Sequence, residues 1–252
     1  MMRCLLFILC LTLISLQGHF EVLADSKGRF EFEKTGRVFW EVHSKEKLVA
    51  LTFDDGPHPL YTPQILDILA KYDARATFFV IGKNAEKYPD IIRKQVDAGH
   101  EIGNHTYQHD YDIHVSATKL EQEIKKTYNI IYSITGYTPS LFRPVGGYYN
   151  DTIVKTALKN DNYVIMWGWH QDTKDWSQPG TKKIIHNVIS DTKPGDIILL
   201  HDSGGNRTQT VEALDKILAV FKKEGYECVT VSELLYRTQP TLPVSLRIFL
   251  HF

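Results

Sequence analysis

The chain has 252 residues, long enough for one large hydrophobic core that an α/β barrel or doubly wound sheet can use in full. Apolar residues make up 43% and charged residues 23%, ordinary for a globular protein, so wholesale disorder is excluded. The net charge of −1 gives no support for a nucleic-acid-binding role.

Residues 1–24 read as a secretory signal. Arg3 precedes an apolar run from Cys4 to Leu16, and Val22-Leu23-Ala24 offers a cleavage site. The run is too short to span a bilayer comfortably, and an uncleaved anchor is the alternative. Cys4 and Cys10 lie inside that signal, so Cys228 is the one thiol expected to survive cleavage, with no internal disulfide and no CxxC metal site. An exported chain without disulfides fits a bacterial surface.

Residues 25–46 are mixed and polar and read as a lead-in; residues 47–236 read as one catalytic domain and 237–252 as a tail. Strands are predicted at 47–53, 76–81, 100–104, 163–167, 196–200 and 227–231. Helix-like stretches alternate with them, such as Val211, Leu214, Ile217, Leu218 and Phe221, with Gly99, Gly136 and Gly225 at expected helix ends. This alternation predicts a parallel sheet, whose chemistry gathers at the C-terminal strand ends. Asp54, Asp55, His105, Asp172 and His201 all fall there. The apolar stretch 240–252 is expected to pack back on the domain or to pair as a strand.

Two adjacent carboxylates, Asp54 and Asp55, are costly to bury unless a cation or proton shares the site. His105 and His109, four apart, complete a two-histidine, one-carboxylate set that leaves positions open for water and substrate. One aspartate can then ligate a metal while the other accepts a proton from water. Arg143 can clamp a carboxylate, and Gly146-Gly147 allow close backbone approach. Asp172, Asp175 and Trp176 form an acidic-aromatic cluster suited to a sugar, whereas Trp167 and Trp169 are expected to fill the core. His201, ending an apolar strand, is placed for general acid work. Taken singly, each piece also has an ordinary reading: a solvated Asp-Gly turn, exposed histidines, a solvated arginine, a structural histidine.

Together, TFDDGP (52–57), HTYQH (105–109), RPVGG (143–147), DTKDW (172–176) and LLH (199–201) resemble the polysaccharide deacetylase family, the NodB-like carbohydrate esterases of family four. The resemblance implies an α/β fold, a distorted (β/α) barrel with fewer complete units than the eight-stranded type. It implies a metal-dependent hydrolase that removes acetyl groups from N-acetylated sugars. By motif, Asp54 resembles the catalytic base, Asp55, His105 and His109 the metal ligands, and Arg143 the residue holding the base. Asp175 resembles the partner of the acid or of the arginine, and His201 the general acid. Pro144, Gly146, Trp176 and Leu199 match substrate-binding positions. The third motif departs from the usual Arg-Pro-Pro-Tyr-Gly, placing Gly146 where a tyrosine is common; its backbone N–H can still serve an oxyanion.

The expected cofactor is one divalent metal, zinc by default, with cobalt, iron or manganese as alternatives. The expected substrate is N-acetylglucosamine polysaccharide, peptidoglycan first, with chitin oligomers, secreted exopolysaccharide or non-catalytic sugar binding as alternatives. The mature protein is expected to be a secreted or cell-surface monomer, without a stable membrane span.

Overall fold

The computed structural model describes residues 28–239; the signal-like segment 1–24 and residues 240–252 of the tail lie outside them. The chain divides into two units, Met1–Val38 and Phe39–Phe252. The described part of the first carries a helical segment at 28–33, with Arg29 Nε donating to Glu33 Oε1 at 2.8 Å.

The second unit is built on strand β2 (Leu48–Asp54), whose seven residues LVALTFD are all buried. A run buried at every position, and apolar but for Thr52 and Asp54, belongs to a parallel strand covered on both faces. Among the described residues eight strands form the sheet: β1 (Val38–Phe39), β2, β3 (Ala76–Val80), β4 (Glu101–Asn104), β5 (Leu141–Phe142), β6 (Tyr163–Ile165), β7 (Ile197–His201) and β8 (Glu227–Cys228). Their order is β1-β6-β5-β4-β3-β2-β7, with β8 paired to the start of β2. The pairings from β2 to β7 are parallel. The sheet curls, and past Ile165 the chain meets β7 through Gly168 N–H donating to Ile197 O at 3.2 Å and an Asp172–Leu199 bridge. This is the distorted barrel expected from the motifs.

Register aligns the strand ends. Asp54 pairs with His201 on one side and with Phe79 on the other. Asn104, just before His105, pairs with Val80 and with Phe142, just before Arg143. Five motif segments separated by long stretches of chain therefore emerge along one rim.

Helices cover the sheet for readable reasons. In Thr208–Glu224, Leu214, Ile217, Leu218 and Phe221 share the buried stripe, and Gly225 closes the helix at φ 77°. Each such apolar side chain contributes about 1.5–3 kcal/mol on burial. Ser116 caps Ala117–Thr135 by accepting from Lys119 N–H, and Gly136 ends it at φ 80°.

Two expectations need correction. The strand predicted at 227–231 stops at Cys228, because Thr230 accepts from Glu233 N–H and starts the helix Val231–Thr238. The T-x-x-E spacing of Thr230 and Glu233 is a helix-start signal that competes with the β-branched run. Trp169 does not fill the core: it is 63% exposed. Trp167 is half-buried and lines the cavity at the strand ends.

Candidate active site

Asp54 ends β2 with its side chain buried. Arg143 Nη1 donates to Asp54 Oδ1 at 2.8 Å and to Thr52 Oγ1 at 2.8 Å. Its Nε and Nη2 donate to Ile165 O and Met166 O, both at 2.9 Å. The guanidinium also lies over the Phe79 ring, 4.1 Å from its centroid. Burial pushes the Arg143 pKa down, opposed by Asp54. Arg143 is thus locked by four hydrogen bonds, and one arm of its fork fixes Asp54.

Asp55 follows with a φ of 75°, in the left-handed region. Asn84 Nδ2 donates to its carbonyl at 2.8 Å and braces that turn. Its Oδ1 lies 2.9 Å from His109 Nε2 and 3.7 Å from His105 Nε2. His109 and Thr106 also have φ of 65°. A β-branched residue rarely adopts this conformation, and such strain gathers at functional sites. Two side-chain contacts hold it: Thr106 N–H donates to Asn104 Oδ1 at 2.9 Å, and Thr106 Oγ1 accepts from His109 N–H at 3.1 Å.

Burial alone would raise the Asp55 pKa. The His109 hydrogen bond and the charges of His105, His201 and His109 outweigh it and hold the carboxyl well below the usual range. His105 is pushed the other way: burial drives it below the ordinary imidazole value against the pull of Asp54 and Asp55. Its Nδ1 lies 2.8 Å from Arg143 O, and a carbonyl only accepts, so Nδ1 carries the hydrogen. The Nε2 lone pair is then left facing the aspartates, the tautomer a metal ligand needs.

The ligand atoms of Asp55, His105 and His109 all lie within 4.8 Å of one another. One carboxylate oxygen and two imidazole nitrogens suit a divalent transition metal. The donor chemistry, the His105 tautomer and the braced backbone all fit such an ion.

His201 ends β7, and Asp175 faces it. His201 Nδ1 donates to Asp175 Oδ1 at 2.7 Å, and His201 N–H donates to Asp175 Oδ2 at 2.9 Å. Thr210 Oγ1 adds a third bond to Asp175 Oδ2 at 2.8 Å. Asp175 therefore hydrogen-bonds His201, whereas the carboxylate that Arg143 holds is that of Asp54. Burial works against charging His201, but Asp175, then Asp54 and Asp55, raise its pKa to about 9. Burial likewise works against ionising Asp175, yet its bonds from His201 and Thr210 keep it below the usual range.

Asp54, the Asp55–His105–His109 cluster and His201 meet in one cavity of about 440 Å³, with Arg143 and Asp175 outside its lining. Its lining includes Asp54, Asp55, His105, His109, Gly146, Asp172, Trp176, Leu199 and His201. Trp176 stands at the wall, 56% exposed, and Leu199, also in the lining, is buried. Gly146 has φ 61° and is exposed. Pro144 is not brought to this cavity; it is buried under the Gly146 loop and lines a separate, smaller one. The sequence reading missed Tyr111, Tyr148, Gly204 and Arg207, which also line the active cavity. Gly204 and Arg207 follow directly in HDSGGNR after LLH, and Tyr111 is two residues past HTYQH, so proximity to a motif was the available signal.

The family described as polysaccharide deacetylase matches residues 41–165. A peptidoglycan-N-acetylglucosamine deacetylase of Bacillus cereus is 50% identical over 210 residues, covering 82% of this chain and 97% of that protein. A peptidoglycan-N-acetylmuramic acid deacetylase of Bacillus subtilis is 38% identical over 193 residues, covering 77% of this chain and 40% of that protein. Among solved structures, a peptidoglycan N-acetylglucosamine deacetylase superposes with a TM-score of 0.75 at 37% identity, covering 79% of this chain and 92% of that one.

Proposed function

Because this chain belongs to the polysaccharide deacetylase family, we propose that it hydrolyses the N-acetyl groups of N-acetylglucosamine units in peptidoglycan, releasing acetate. The observation that carries the reading is the convergence of three assemblies on one cavity: Arg143–Asp54, Asp55–His105–His109 and Asp175–His201. The 50% identity to a deacetylase named for that sugar supports the substrate.

Asp55, His105 and His109 would hold one divalent ion, zinc by preference, which when bound supplies Lewis-acid polarisation and a lowered water pKa. Asp54, oriented by Arg143, accepts the proton of the water that attacks the acetamide carbon. The Gly146 N–H, at the cavity wall, donates to the oxyanion that develops. His201 holds its proton at neutral pH because of Asp175, and passes it from Nε2 to the departing amine. Without that proton an amine anion would have to leave. Trp176 and Leu199 wall the acetyl group. A purely sugar-binding protein would need neither the Arg-held carboxylate nor the Asp-held histidine.

The site of action that follows is the cell wall, reached by export. Among the described residues no helix is long and apolar enough to cross a membrane. The test is acetate release from peptidoglycan and from N-acetylglucosamine oligomers, with zinc and after chelation. Chelator-sensitive release supports the reading. Release from chitin oligomers alone moves the substrate. A release confined to muramic acid units would match the Bacillus subtilis relative instead.

A further inference from the structure

The Gly146 loop is not bare. A Cβ built on Gly146 would lie 2.9 Å and 3.1 Å from Cε1 and Cδ1 of Tyr111, so the Tyr111 ring rests directly on this glycine. No side chain fits at position 146 without displacing that ring, and the φ of 61° independently favours glycine. Tyr111 thus fills, from a different loop, the space beside a position where the motif commonly carries its own tyrosine.

Two further contacts fix the ring. It stands edge-on to His109, with centroids 4.9 Å apart at 83°, and edge-on to Tyr148 at 6.4 Å and 77°. Both are favourable aromatic geometries. Even so, Tyr111 is 66% exposed, while its neighbours His105 and Asp55 are buried. It is a large apolar ring, held from behind, with a free face at the rim of the cavity. The floor belongs to the acetamide chemistry, so what meets the rim is a different part of the bound chain.

We infer that Tyr111, backed by Tyr148 and seated on Gly146, is a substrate-positioning residue whose exposed ring packs against the sugar next to the one being deacetylated. The ligand class is a pyranose ring within an oligosaccharide, met through its C–H face. This rests on the deacetylase reading for the identity of the chain and adds a requirement for chain length. The aromatic surface at stake corresponds to about a three- to ten-fold change in affinity.

The test compares native protein, Tyr111→Ala and Tyr111→Phe. Kd is measured by NMR titration for the N-acetylglucosamine monosaccharide and tetramer in an Asp54→Asn background, and KM and kcat for acetate release in the native background. Expected for Tyr111→Ala is a three- to ten-fold weaker tetramer Kd, a KM change larger than the kcat change, and an unaltered monosaccharide Kd. Tyr111→Phe, which keeps the ring, should recover tetramer binding. An unchanged tetramer Kd in Tyr111→Ala overturns the proposal. So does an equal loss for monosaccharide and tetramer, which would mean a general disturbance of the site. Absent acetate release from the native protein would defeat the deacetylase reading, while the Kd comparison would still judge Tyr111.

Discussion

Arg143 Nη1 meets Asp54 Oδ1 at 2.8 Å with both side chains out of water. The two residues are 89 apart in sequence, yet the same guanidinium also ties Thr52, Ile165 and Met166 together. It is at once the clamp on a candidate base and a pin between β2 and the end of β6. Removing it leaves Asp54 buried beside unpaired carbonyls. Arg143→Ala is expected to cost about 3–5 kcal/mol of unfolding free energy. Arg143→Lys should recover only part, because a lysine lacks the planar fork. Denaturant unfolding of both variants reads this out, and a loss within experimental error would show that the pin is dispensable.

Asp54→Asn keeps shape and a hydrogen-bond acceptor for Arg143 but removes the basic oxygen. Acetate release should fall by a factor of roughly 10² or more while bound metal stays constant. Near-native turnover would take Asp54 out of its role.

Metal content tests the opposite face of the aspartate pair. His109→Ala removes one donor of the cluster, so metal retained after dialysis should drop. Gly204→Ala is a subtler probe. Its φ is 74°, and a Cβ there would lie 2.5 Å from Asp55 Oδ2 and 3.3 Å from Arg207 Nη2. The new methyl must displace Asp55, so competition with a chelator should show weaker metal binding. Native affinity in both variants would remove Asp55 and His109 as ligands.

The His201–Asp175 pair predicts a pH dependence. In the metal-free protein the His201 ring should titrate near pH 9, raised by Asp175. A group raised in the folded state stabilises it fully below the unfolded value of about 6.5. That contribution is lost as pH rises through about 9. Asp175→Asn should bring the ring back toward the ordinary histidine range. A divalent cation beside Asp55 opposes the pull of the aspartates, so the alkaline limb of activity in the loaded enzyme should lie below that of the free ring. NMR titration of the ring carbons checks the first two shifts, and the pH profile of kcat checks the third. An unmoved titration in Asp175→Asn would deny the coupling.

Asp202, immediately after His201, is fully buried. Thr62 Oγ1 donates to its Oδ2 at 2.5 Å, and its Oδ1 has no partner among the described residues. Burial raises its pKa to about 7 against the Thr62 bond, with Asp55 adding to the rise. The folded state therefore prefers the neutral acid. Its contribution is full below the unfolded value of about 3.9 and is lost as pH climbs through about 7. In chelator, native protein should lose more melting temperature between pH 5 and pH 8 than Asp202→Asn, which keeps the Thr62 acceptor without the charge. Parallel profiles would place the proton elsewhere.

The sequence by itself determined the candidate groups and their strand-end placement. TFDDGP, HTYQH and LLH announce themselves locally, because an apolar β-branched run followed by polar residues is both the strand and its functional end. Alternating periodicity likewise determined a parallel α/β sheet. Tertiary structure alone decided which group contacts which. The assignment of Asp175 to His201 rather than Arg143 depends on how the 172–177 segment lies along β7, which no local spacing encodes. The different partners of Asp54 and Asp55 accompany one left-handed residue, Asp55, braced by Asn84 from the helix Gly82–Lys87. Trp169 reached the surface and Pro144 the interior because burial is a property of neighbours, not of residue type. Tyr111 over Gly146 is the same lesson: a side chain missing at one position is answered by a ring 35 residues away, visible only once the two loops are in contact.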